Sequence, residues 1–293
     1  MLSLINNGEI MYQVGNFIFK LNFHDEFVIP ENLSLFKIDN NSDCYHYDIY
    51  VKENIDITED SFILSKNNIK ICKKNNLEKR YLYIPNESIP YAVNEEIDSN
   101  HSIVYIHKKY VPMMIYDTMF VSLLCLERKV QNFNQYILHS SYMMIHDHAI
   151  LFTAPSGTGK STQADLWKKY RGSEVMNGDR SLLVKEDKYY AYGWPICGSS
   201  EICNNKKYPI TCIVVLSQAK ENRIEELSYK DSFKKILSEL TINYHNPLFV
   251  NSAMDFIDDL VKNVKIYHLA CDISEDAVKC LEDKLKEDNL WML

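Results

Sequence analysis

Lys160 and Ser161 stand at the end of the run Ala154-Pro155-Ser156-Gly157-Thr158-Gly159, and Thr162 follows. A lysine and a hydroxyl directly after a glycine-rich run suit the holding of nucleoside triphosphate phosphates. The glycines let successive backbone N–H groups turn toward an anion. Lys160 brings a compact positive charge to the β and γ phosphates, and the Ser161 hydroxyl is placed for Mg²⁺. Ser156, Gly157, Thr158, Gly159, Lys160, Ser161 and Thr162 are therefore the expected nucleotide-binding residues. One departure from the G-x-x-x-x-G-K-[ST] pattern is visible, since its first glycine is Ala154. A glycine-rich turn that binds nothing is the plain alternative, and the apolar run Ala149–Thr153 before the loop argues against it.

Two further residues could act beside the loop. Asp179 ends the short strand-like run Glu174-Val175-Met176-Asn177, with Arg180 next. In parallel α/β proteins such strand ends collect catalytic acids, so Asp179 is the expected Mg²⁺ ligand, with a simple turn aspartate as the alternative. His139 enters through a hairpin of Leu138 to Ile145 and Ala149 to Thr153, turning over His146-Asp147-His148. A turn centred on Asp147 sets position 139 opposite 155, at the mouth of the loop. The imidazole then lies near the transferring phosphate or the metal's carboxylate; the alternative is a strand-end histidine bonded to backbone.

The elements that position these residues follow from periodicity. Residues 1 to about 110 read as β-rich: Phe17, Phe19, Leu21 and Phe23 alternate with polar or smaller neighbours, as do Tyr45, Tyr47, Ile49 and Val51. From about Tyr116 to Gln131 the period becomes helical, which marks the start of a second domain or the bridge into it. Beyond the loop, a helix over 162–170 closes at Gly172, a hairpin follows over 182–192, and 193–207 is a long irregular loop. A strand at 210–216, helices at about 231–241 and 252–262, a strand at 265–270 and a last helix from Glu275, N-capped by Ser274, complete the chain.

Composition bounds the function. The 293 residues are 46% hydrophobic with a formal charge of −8. That charge argues against nucleic-acid binding and against an anionic membrane surface. No apolar run approaches the ~20 residues of a spanning helix, and the first residues lack a basic secretion-signal region. Eight scattered cysteines without a C-x-x-C fit free thiols in a reducing cytoplasm, and neither Cys197/Cys203 nor His146/His148 has zinc-ligand spacing.

The region from about 136 to the C-terminus resembles the HPr kinase/phosphorylase catalytic domain, whose fold is similar to the nucleotide site of phosphoenolpyruvate carboxykinases. Ser156-Gly157-Thr158-Gly159-Lys160-Ser161, His139 ahead of them and Asp179-Arg180 after them carry the resemblance; Glu201-Ile202-Cys203-Asn204 looks like the family's Glu-Ile-Arg-Gly segment. The expected fold class is thus α+β or α/β, with a β-rich domain over 1–112 and an HPr-kinase-like P-loop domain over 113–293. The resemblance implies transfer of phosphate from ATP or GTP, with Mg²⁺, to a hydroxyl, usually serine. It implies Asp179 as proton acceptor, His139 orienting it, Lys160 on the phosphates, and Ser161, Asp179 and Glu201 around the metal. Relatives beside genes for lasso-peptide precursors phosphorylate a peptide, so a peptide or protein acceptor is expected here, and the family's habit points to a homo-oligomer. Gly178 replaces the first of two adjacent family aspartates, and Cys203 replaces the arginine of Glu-Ile-Arg-Gly. These departures keep two other readings open: a small-molecule kinase, and a nucleotide-binding sensor without turnover. HPr itself is not the expected substrate.

Overall fold

In the computed structural model, residues 4–5, 8–39, 43–57 and 61–291 are described. The chain divides into two compact units, Met1–Lys129 and Val130–Leu293. The division falls later than the expected 112/113 boundary. The helix Asp117–Leu123 and the next turns belong with the first unit because their backbone is bonded into it: Tyr47 Oη donates to the Leu124 carbonyl and Asn94 Nδ2 to that of Leu123, both at 2.9 Å. The single helix expected from 116 to 131 is two, Asp117–Leu123 and Leu126–Gln131, broken where Cys125 takes a left-handed φ of 52°.

The first unit is built on a mixed nine-stranded sheet. Its central strands are Phe17–Phe23, Tyr45–Lys52 and His101–His107, paired in parallel through the middle one. Phe19, Leu21, Tyr47, Ile49, Val104 and Ile106 are buried on one face, so the period-2 pattern was a core face. A buried ionic network lies behind it. Arg128 donates to Glu96 (2.7 Å) and Glu78 (2.8 Å), Lys129 to Glu96 (2.5 Å) and Tyr45 Oη (2.7 Å), and Arg80 pairs with Glu78 (2.8 Å).

The second unit is α/β. Its sheet path runs through strands 148–153, 136–145, 180–185, 189–192, 207–218, 265–271 and 223–226. Strand 148–153 also pairs in parallel with 207–218, so the path closes on itself, and strand 174–177 pairs with 136–145. Helices cover both faces. Ala149, Leu151, Ile213 and Val215 pack on Phe256, Ile257 and Leu260 of helix Pro247–Asn263, with Ile236 of helix Tyr229–Glu239. The intervening Ile150, Phe152, Cys212 and Val214 pack on Ala164 and Trp167 of helix Lys160–Arg171 and on Leu281 of helix Glu275–Glu287. Burial on both faces is why these strands read as continuous apolar runs rather than alternating ones.

Most sequence-predicted elements of this unit are present with bounds shifted by a few residues. Helix Pro247–Asn263 starts earlier than expected, at Pro247 behind the capping side chain of Asn246. Ser274 stands at the N-cap of helix Glu275–Glu287 as expected, but its side chain bonds no helical N–H: the hydroxyl donates to Asp272 Oδ1 at 2.6 Å. Strand Arg223–Glu226 was not foreseen, since one partly buried isoleucine among exposed polar residues gives no period. No described helix is long and apolar enough to cross a membrane.

Candidate functional site

Strand His148–Thr153 runs into the loop 154–159, and helix Lys160–Arg171 begins at Lys160. The loop turns on two left-handed glycines, Gly157 at φ 80° and Gly159 at φ 114°, a region L side chains rarely adopt. Pro155, Ser156 and Gly157 are exposed, while Lys160 is buried against the loop. Its ammonium donates to the Ala154 carbonyl at 2.9 Å. Burial pushes the Lys160 pKa down, and the carboxylates of Asp179 and Glu239 act against that. The Ser161 hydroxyl donates to the Gly178 carbonyl at 3.3 Å, on the residue before Asp179. Thr162 is exposed in the first helical turn.

His139 lies where strand Tyr136–Ile145 changes neighbour. Its own backbone pairs with Arg180, whereas Ser140 pairs with Thr153. Three strand ends are tied there: Thr153 Oγ1 donates to the His139 carbonyl at 2.9 Å, and Ser140 N to the Asp179 carbonyl at 3.0 Å. The hairpin register differs by one residue from the expected one. The turn is two residues, His146 and Asp147, both at positive φ, with Ile145 opposite His148. Such a tight left-handed turn fits the twist of the strands better than a three-residue turn. The pairing ends at Ser140 and Thr153, with His139 one step beyond it beside the base of the loop.

The structure brings His139 and Asp179 together, with Nε2 3.4 Å from Asp179 Oδ1. Arg180 Nε donates to the other carboxylate oxygen at 3.2 Å. The hydrogen bond from His139 is the main cause of a lowered Asp179 pKa, with the charge of Arg180 adding to it against burial. The same bond raises the His139 pKa, helped by Glu239 and opposed by burial and Lys160. Each group thus favours the charged form of the other.

Asn177 is the residue that fixes Asp179, and its position in a strand-like run gave no sign of it. Fully buried, it accepts from the backbone N–H groups of Asp179 (3.0 Å) and Arg180 (2.9 Å). Its amide donates to the carbonyls of Trp194 (2.8 Å) and Ile196 (3.2 Å), which pins the loop after strand 189–192. That loop explains Gly178. A Cβ there would lie 2.0 Å from Ser200 Oγ and 2.2 Å from Ser200 Cβ, so no side chain fits while Ser200 is in place. The loop 193–206 holds only a short 3₁₀ turn, Gly198–Ser200, before strand Lys207–Gln218 begins. Glu201 follows that turn, exposed, at φ 55°, and is not among the partners of Asp179 or His139. The hydroxyl of Ser161 and the carboxylate of Asp179 are hard oxygen donors of the type Mg²⁺ takes.

No family model matches the sequence, and no curated protein matches it. Among solved structures the chain is similar to the HPr(Ser) kinase/phosphatase from Coxiella burnetii, at 10% identity and a TM-score of 0.31, over 52% of this chain and 98% of that one. A likeness of that size assigns no role to any residue.

Proposed function

We propose that the second unit is a nucleotide- and Mg²⁺-dependent phosphotransferase, a kinase acting on a hydroxyl, with serine of a peptide or protein as the acceptor class. One observation supports this above the others: a phosphate-loop strand–loop–helix whose Ser161 touches the residue beside an ionised Asp179 that is itself paired with His139. The loop amides cradle the nucleotide phosphates. Lys160, now bonded to the loop's own carbonyl, swings to the β and γ phosphates. Ser161 and Asp179 would hold Mg²⁺, which when bound neutralises phosphate charge. The acceptor's O–H proton passes to Asp179 as its oxygen forms the new bond to phosphorus. The bond from phosphorus to the β-phosphate oxygen breaks, and its electron pair leaves with the diphosphate. His139 keeps Asp179 ionised and aimed until that proton arrives. The exposed loop tip at Pro155–Gly157 leaves room for a large acceptor.

Isothermal titration with ADP and a nonhydrolysable ATP analogue, with and without Mg²⁺, tests the cradle. Micromolar binding that Lys160→Ala weakens at least a hundredfold is expected; binding unchanged in that variant removes the loop from the mechanism. Asp179→Asn is expected to retain the fold and nucleotide binding while phosphate transfer, followed by release of labelled phosphate and by autophosphorylation, falls by about three orders of magnitude.

A further inference from the structure

Glu239 ends the helix Tyr229–Glu239, one hundred residues along the chain from His139, and its Oε2 lies 3.0 Å from His139 Nδ1. Asp179 faces the other ring nitrogen at 3.4 Å, so the imidazole bridges two carboxylates. The end of that helix is fastened to the strand that carries the histidine. Leu240 bridges to Leu138, and Thr241 N donates to the Ile137 carbonyl at 2.8 Å. Little freedom is left to either side chain, Glu239 being 13% and His139 28% exposed.

The sign of the charge is informative. A carboxylate in the last turn of a helix opposes the helix dipole, and this one would weaken its own helix unless a cation met it. Its partner is His139 Nδ1, 3.0 Å away. Around the ring stand Asp179, Glu239 and Lys160, with Arg180 behind Asp179, and only the two carboxylates favour the protonated form. Gly178 has no room for a side chain, so the second carboxylate of the site comes from a distant helix rather than from the neighbouring position.

We propose that Glu239 is the positioning residue of the transfer reaction: it accepts Nδ1–H of His139, fixes the ring plane and holds Nε2–H on Asp179. This rests on the phosphotransferase reading above. Glu239 touches neither nucleotide nor acceptor. It acts through His139, in the way a buried carboxylate orients a catalytic imidazole by bonding its far nitrogen.

The experiment is imidazole NMR of the full chain at one fixed pH, without nucleotide, with the His139 signals assigned by their loss in His139→Gln. The Nδ1 proton of His139 is expected to be hydrogen-bonded and protected from exchange with solvent in the wild type, to lose that protection in Glu239→Ala and to keep part of it in Glu239→Gln, which retains an acceptor oxygen. In Glu239→Ala kcat for phosphate transfer drops about ten- to a hundredfold and Glu239→Gln restores part of it, with nucleotide affinity unchanged within about twofold. An Nδ1 proton equally protected in wild type and Glu239→Ala overturns the proposal. A nucleotide titration without binding would overturn the phosphotransferase reading instead, and the imidazole measurement separates the two because it needs no nucleotide.

Discussion

His139 and Asp179 have pKa values displaced in opposite directions, and that gives the pair a window of pH. The Asp179 pKa is lower in the folded chain than its ordinary 3.8, so its contribution to stability is present above that value and is lost as pH falls through the folded pKa. The His139 pKa is raised above 6.5, so its contribution is present below 6.5 and is lost as pH rises through the folded pKa. The pair therefore stabilises most between about pH 4 and about pH 6.5. The difference in Tm between the wild type and His139→Asn should be largest near pH 5 and shrink toward pH 9; a difference flat across that range would mean that the two side chains do not share charge. At this scale the sequence was partly legible. The glycines were legible as turn-formers by type, because few other residues adopt the φ of 80° and 114° found at Gly157 and Gly159. His139 was reached through a register wrong by one residue, and it stays near the loop because strand Tyr136–Ile145 changes partner there. Glu239 was invisible, since only tertiary packing brings a helix end to a residue so far away in sequence.

Among elements, those with a clear period and a chemical stop were readable. Helix Lys160–Arg171 is closed by Gly172 at φ 70°, the position its sequence announced. The loop 193–207 was readable only as irregular, because what orders it is one buried side chain belonging to another segment. Asn177 serves two backbone donors and two backbone acceptors at once. Asn177→Ala strips partners from all four, so a loss of about 2–3 kcal/mol is expected by urea denaturation. Transfer activity should fall further than stability does, since Asp179 loses its backbone brace. Asn177→Asp, which keeps the acceptors and loses the donors, should separate the brace on Asp179 from the tether on the loop.

For the molecule as a whole, the chain divides after Lys129. A change of period marks where strands give way to helix, but it does not say on which core the helix packs. The first unit hides a second feature from its sequence. Glu78, Arg80, Glu96, Arg128 and Lys129 look like ordinary surface charges, yet all are buried. Mutual pairing makes this tolerable: Arg128 holds both glutamates, and Glu96 is kept ionised by Arg128 and Lys129 against its burial. Arg128→Met removes the cation that the two buried glutamates share and leaves Glu78 to Arg80 and Glu96 to Lys129. A loss of roughly 3–5 kcal/mol is expected in thermal or chemical unfolding of the full chain. A change under 1 kcal/mol would show that water reaches the network.

The closure of the second unit's sheet path bears on how an acceptor would approach if the proposed reaction holds. Strand His148–Thr153 has strand 136–145 along one edge and strand 207–218 along the other. Neither edge retains a free row of backbone donors and acceptors. An extended peptide therefore cannot join strand His148–Thr153 as an added strand, a mode of capture that works through main-chain hydrogen bonds. Under the proposed phosphotransferase reading, a peptide acceptor would not pair along this strand, and its hydroxyl would be brought to the loop by side-chain and shape recognition.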